Sequence, residues 1–178
     1  MLEQVLLAGF GGQGVLSMGQ FLASAALVEE KNVSWLPSYG PEMRGGTANC
    51  QVIVSDKPIA SPIISRPSTL IVMNRPSLDK FVDQLMPGGL ILINSSLIDA
   101  PVTRTDVEIV KVDTHELAVE AGNAKAANMV MLGAYLKLRK TVEPDAVVTC
   151  MQEKFTGRKA KLVDVNKKAL ELGMEAVK

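Results

Sequence analysis

Two short stretches concentrate the residue types that bind and orient charged ligands: Gly9-Phe10-Gly11-Gly12-Gln13-Gly14 and Ser38-Tyr39-Gly40-Pro41-Glu42-Met43-Arg44-Gly45-Gly46. In the first, glycines can take positive φ and let another group approach the backbone closely. The apolar run Val5–Ala8 before it reads as a buried strand, and Val15–Leu27 after it reads as a helix. A helix opening after Gly14 points unpaired N–H groups and its positive dipole end at whatever lies above the turn. Gly9, Gly11, Gly12, Gln13 and Gly14 are therefore the candidate residues of an anion or cofactor site. In the second stretch and just before it, Pro37, Gly40, Pro41, Gly45 and Gly46 forbid regular structure and shape a loop. That loop carries Tyr39, Glu42 and Arg44, a density that fits a functional loop better than a solvated turn.

The spacing Gly9-x-Gly11-x-x-Gly14 also fits the dinucleotide fingerprint. That fingerprint needs an acid near the end of the second strand to hold a ribose hydroxyl. Here the second strand, Val33–Leu36, ends in Pro37-Ser38, and the nearest acids, Glu29 and Glu30, precede it. NAD or FAD binding is therefore disfavoured. A bare packing turn without ligand stays open as the plainer alternative.

Other reactive types are sparse. His115, the single histidine, follows Asp113-Thr114 at a helix start and reads as a first-turn surface residue rather than a base. Cys50 and Cys150 lie far apart in apolar runs and read as small buried residues. No Cys-x-x-Cys pattern is present, so no metal ligands are assigned and no iron–sulfur cluster is expected on this chain alone. The same cysteine usage fits a reducing cytoplasm.

The 178 residues are 47% apolar and 21% charged, with zero formal net charge, as in an ordinary globular domain. No basic block and only 4% aromatic residues argue against nucleic-acid binding. Residues 4–28 carry no charge, but glycines and Gln4, Gln13 and Gln20 interrupt them, so a membrane span is not expected.

The elements that hold these stretches follow from periodicity and punctuation. Strands are expected at Thr47–Ser55, Leu70–Met73, Leu90–Asn94 and Val107–Val112. Helices are expected at Leu78–Leu85 with Ser77 as cap, from Asp113 with Glu116 three residues on, and at Ala124–Leu136, Pro144–Lys154 and Asp164–Val177. Thr156–Lys159 reads as a loop. Asn128 is the single uncharged polar residue in its apolar helix, and reads as a satisfied core amide or as one reaching a neighbouring site. The connection from Leu36 to Thr47 holds no helix, so the strand at 47–55 is expected antiparallel to its predecessor, or apart from it. The fold class is α/β, a three-layer α/β/α arrangement with a mixed, mostly parallel sheet and a Rossmann-like start, in one domain over residues 1–178. The Ser38–Gly46 loop is expected beside the glycine turn, on the assumption that the first two strands are parallel and close.

The two motifs in this order resemble the γ subunit of 2-oxoacid:ferredoxin oxidoreductases. With Thr47-Ala48-Asn49-Cys50 and Asn94-Ser95-Ser96, the resemblance is greatest to the 2-oxoglutarate branch. It implies a complex that converts a 2-oxoacid, CoA and oxidised ferredoxin to acyl-CoA (succinyl-CoA for 2-oxoglutarate), carbon dioxide and reduced ferredoxin. Thiamine diphosphate, magnesium and iron–sulfur clusters would be held by α, β and ferredoxin-like δ partners, since this chain lacks their motifs. The γ chain would be inactive alone and would line the thiamine or CoA site with its two glycine-rich loops. The implied cofactor-binding residues are Gly9, Gly11, Gly12, Gln13, Gly14, Tyr39, Arg44, Gly45 and Gly46. Arg44 suits a phosphate or carboxylate through its planar fork, and Glu42 would orient Arg44 or a partner residue. Glu42 and Arg44 are the candidates for any catalytic role. Two alternatives stand beside this: a stand-alone nucleotide- or anion-binding module, and a γ or β subunit for pyruvate, branched-chain acids or indolepyruvate.

Overall fold

The computed structural model describes residues 1–38 and 47–178. The apolar run Val5–Ala8 is the buried centre of β1 (Leu2–Phe10). This strand outgrows the run because it has partners on both sides. It pairs antiparallel with β3 (Thr47–Ser55) along its whole length, and parallel with β4 (Thr69–Val72) from Val5 to Ala8. Together with β2 (Asn32–Ser38), β5 (Leu90–Asn94) and β6 (Glu108–Val112), these form one sheet in the order β2-β3-β1-β4-β5-β6. β1, β4, β5 and β6 run parallel, and β3 runs antiparallel to both its neighbours. The sheet is thus mixed and mostly parallel, as the connections require.

Position in the sheet follows burial preference. Every residue of β4 and β5 is buried, as parallel strands covered on both faces must be. β2 and β6, more polar and more exposed, take the edges. β2 runs on through Pro37, whose missing N–H an edge strand tolerates. One expectation fails here. The first two strands run in the same direction but are not neighbours, because β3 lies between them. Its apolar Cys50, Val52 and Val54 are fully buried, which suits an inner strand better than an edge.

Helices cover both faces unequally. α1 (Val15–Val28), α3 (Thr114–Ala121), α4 (Ala127–Arg139), α5 (Pro144–Lys154) and α6 (Leu162–Glu175) share one apolar core with the sheet. α2 (Arg75–Phe81) and the extended residues Ile98 and Ala100 close the other face over β1, β4 and β5. α4 and α6 approach backbone to backbone. A Cβ on Gly133 would meet the Leu170 carbonyl oxygen at 2.0 Å, and one on Gly173 the Val130 oxygen at 1.9 Å. Tyr135 is fully buried in α4, its hydroxyl 2.6 Å from Thr141 Oγ1.

Several boundaries move for local reasons. α2 begins three residues early, because Asn74 rather than Ser77 is its cap: Asn74 Oδ1 accepts from the Ser77 amide at 2.9 Å. Val82–Gln84 then tighten into a 3₁₀ turn. Ala124–Ala126 are likewise 3₁₀, capped by the Asn123 side chain, so α4 starts only at Ala127. Gly157–Lys159 form a 3₁₀ turn instead of an open loop, and α6 lies two residues earlier than its charged face suggests. The spans Leu90–Asn94, Thr47–Ser55 and Pro144–Lys154 match their expected bounds. Among the described residues no helix is long and apolar enough to cross a membrane.

Candidate functional site at the strand ends

The turn after β1 is built by its glycines. Gly12 has φ 94° and Gly14 has φ 74°, a left-handed geometry that side chains resist. Gly14 is the N-cap of α1, and no side chain caps it. Gly9 is buried; a Cβ there would meet Gln13 Oε1 at 2.7 Å and Met73 Cβ at 2.8 Å. Gln13 folds back over the turn. Its Oε1 accepts from the Phe10 amide at 2.7 Å, and its Nε2 donates to the Met73 carbonyl at 3.1 Å. Behind the turn, Asn128 Nδ2 donates to the Gly14 carbonyl at 3.2 Å. Asn128 is thus a satisfied amide that also reaches the site, so the two readings of it merge.

The Met73 carbonyl also accepts from Asn94 Nδ2 at 3.2 Å. Asn94 Oδ1 in turn accepts from the Thr114 hydroxyl at 2.8 Å and the Ser96 amide at 3.1 Å. The Ser96 hydroxyl donates to Asp113 Oδ1 at 2.7 Å and accepts from the His115 amide at 2.9 Å. These bonds tie the ends of β1, β4, β5 and β6 to the start of α3. The Ser96 hydroxyl, and then the Glu116 amide, hold the Asp113 carboxyl below the ordinary aspartate range.

Between these walls lies a cleft of about 610 Å³, lined among others by Gly12, Gln13, Asn94, Ser96, His115 and Lys125. It opens at the carboxyl ends of the parallel strands, where open α/β sheets take their ligands. The glycine turn before α1 meets it from one side and the first turn of α3 from another. Turn amides, a lysine and hydroxyl groups suit a phosphorylated ligand.

The structure therefore gathers Gly11, Gly12, Gln13 and Gly14 in one turn beside Gly9 at the end of β1, with Gly12 and Gln13 on the cleft wall. Tyr39, Glu42, Arg44, Gly45 and Gly46 lie outside the described residues. The strand residues flanking them are placed: Ser38 pairs with Asn49, and Thr47 with Phe10, at the end of the sheet that carries the glycine turn.

Residues 4–176 match the family model described as pyruvate ferredoxin/flavodoxin oxidoreductase. The chain belongs to this family. The ketoisovalerate oxidoreductase subunit VorA of Methanothermobacter thermautotrophicus is 43% identical over 173 residues, which are 97% of this chain and 36% of that protein. The chain thus spans about a third of the length of the VorA relatives. The 2-oxoglutarate synthase subunit KorC of Methanocaldococcus jannaschii is 34% identical, with 83% of this chain and 80% of that one aligned. The keto/oxoacid ferredoxin oxidoreductase γ subunit of Geobacter sulfurreducens superimposes with a TM-score of 0.83 at 27% identity, over 98% of this chain and 97% of that one. The resemblance carried by the two glycine-rich motifs therefore points to the right family, and the three-layer fold is that of its γ subunits.

Asn94, Ser96, Asp113, Thr114 and Lys125 complete the walls of the oxidoreductase-family cleft, and none was singled out as a site residue from sequence. The available signal was position. Asn94 and Asp113 each end a buried or alternating strand run, and strand ends are where this architecture places ligands. His115 is an exposed first-turn residue of α3, as expected, but it faces the cleft.

Proposed function

We propose that this chain is the γ subunit of a 2-oxoacid:ferredoxin oxidoreductase complex, and that its glycine turn and cleft receive the acyl acceptor CoA. The observation that carries this is the left-handed Gly12–Gly14 turn opening on a cleft at the parallel strand ends, in a chain of this family. In this reading the amides at the start of α1 bind the CoA pyrophosphate, with Lys125 a cation on the cleft wall. Gln13 and Asn94 keep the turn and strand ends in register. Arg44, from the loop after β2, pairs with a phosphate or the substrate carboxylate, with Glu42 orienting it and Tyr39, Gly45 and Gly46 shaping the approach.

Thiamine diphosphate on a partner would supply the electron sink for decarboxylation, and iron–sulfur clusters would supply the path of electrons to ferredoxin. The described residues do not fit a cluster or a bound magnesium ion. Cys50 and Cys150 are both buried, and among the described residues no three His, Cys, Asp or Glu are grouped to hold a metal. The proposal therefore assigns magnesium, thiamine and clusters to α, β and ferredoxin-like δ chains, in a cytoplasmic complex. In this reading residues 1–178 act as one domain, supported by the single sheet that the described strands form.

For the acid, 2-oxoglutarate is the first reading, supported by the Ser38–Gly46, Thr47–Cys50 and Asn94–Ser96 motifs and by the name of the KorC relative. A branched-chain 2-oxoacid is the second, favoured by the higher identity to VorA. The test is native pull-down of the tagged chain with mass spectrometry, followed by viologen reduction with each 2-oxoacid and CoA. Thiamine- and cluster-bearing partners and CoA-dependent reduction are expected. Recovery of the chain without such partners would replace this reading with a stand-alone binding module.

A further inference from the structure

We infer that Asn128 is the positioning residue of the glycine turn, holding Gly14 in its left-handed geometry from behind and so setting the affinity for CoA without touching it. This rests on the CoA reading above. Gly14 stands where an N-cap side chain would ordinarily fix the first turn of a helix, and as glycine it offers none. Its orientation must be imposed from outside, and α4 supplies the means.

Asn128 is 9% exposed, in a helix whose next residues, Met129 to Leu132, are buried and apolar. An amide placed there is costly unless its donor is satisfied. The donor goes to the Gly14 carbonyl at 3.2 Å, the same oxygen that accepts the Met18 amide at 2.9 Å as α1 begins. The fit is steric as well as polar. A Cβ on Gly14 would meet Asn128 Nδ2 at 2.5 Å and Cγ at 2.8 Å, so the amide lies against a bare α-carbon. Gln13 pins the front of the turn through the Phe10 amide and the Met73 carbonyl, while Asn128 pins its back. Asn128 lines a separate cleft of about 380 Å³ beside α1 and α6, together with Ser17, Lys154 and Asn166. It therefore acts through Gly14 and not on the ligand.

The experiment uses the assembled complex carrying Asn128→Leu, which keeps the branched shape and removes the donor, or Asn128→Asp, which also sets a carboxylate against the Gly14 carbonyl. The KM for CoA should rise a few-fold with leucine and roughly tenfold with aspartate, while kcat at saturating CoA and the KM for the 2-oxoacid hold. If the aspartate chain does not fold, the leucine variant carries the test. An unchanged KM for CoA in the folded variants would overturn the assignment, as would a loss confined to kcat or to the yield of complex, which marks a structural role. A wild-type complex without CoA-dependent turnover would instead overturn the function reading, and this inference with it.

Discussion

Gln13 and Asn94 converge on one carbonyl, that of Met73, at 3.1 Å and 3.2 Å. Gln13 was legible in the sequence because it sits inside a glycine motif. Asn94 was legible as a strand end and in the Asn94-Ser95-Ser96 motif, but not as a group that holds the Met73 carbonyl, since a single buried asparagine carries no contact pattern. Arg44 is the opposite case, a residue whose type is its whole argument. Arg44→Ala in the reconstituted complex should lower 2-oxoacid- and CoA-dependent viologen reduction by at least about tenfold, the cost of one charge-assisted bidentate contact. Circular dichroism of the isolated chain should be unaltered. Arg44→Lys should rescue only partly, because an ammonium cannot reproduce the guanidinium fork. Full activity in the alanine complex would remove Arg44 from the site.

Element ends and contacts give two further expectations. Asp113 caps α3 by accepting from the Glu116 amide at 3.2 Å, and Ser96 and that amide lower its pKa below the ordinary 3.8. A depressed carboxyl contributes stability above its unfolded value and loses it as pH falls through the folded one. Asparagine caps as well as aspartate but does not titrate. The wild type should therefore melt above Asp113→Asn at about pH 6, with the gap closing below about pH 4. A gap constant with pH would show that the charge contributes nothing. The capping pair Asp113–Glu116 was readable from spacing, and the structure bears it out. The α4–α6 contact was not readable. Gly133 and Gly173 look like ordinary helix glycines until the partner backbone is placed against them. Gly173→Ala should lower the urea midpoint by the equivalent of roughly 2–3 kcal/mol, the usual cost of overpacking against an unyielding backbone. Gly133→Ala should cost a similar amount, and the double variant less than the sum, because both act on one helix contact. Wild-type midpoints in the single variants would mean that the helices separate without cost.

At the scale of the molecule, the two cysteines predict composition. Cys50 is fully buried, with its thiol pushed up to about 12 by burial, and Cys150 is 6% exposed on another element. Neither can offer a thiolate to iron. The purified chain should carry no stoichiometric iron or sulfide, while the complex should; colorimetric analysis of both is the check, and iron–sulfur at one cluster per isolated chain would reverse the assignment. The sequence alone was enough for the family, the α/β class, the mixed sheet and the glycine turn. Each of these rests on local information: apolar runs of strand length, a glycine spacing, and a connection too short for a helix. Strand order was settled by the folded arrangement. β3 rather than β2 lies beside β1, because burial of Cys50, Val52 and Val54 demands an inner place while β2 tolerates an edge. The rest of the cleft wall, and Asn128 behind the turn, were settled the same way. Asn94, Asp113, Lys125 and Asn128 come from four segments spread over 35 residues of chain, and only the parallel crossovers and the packing of α4 behind α1 bring them to one glycine turn.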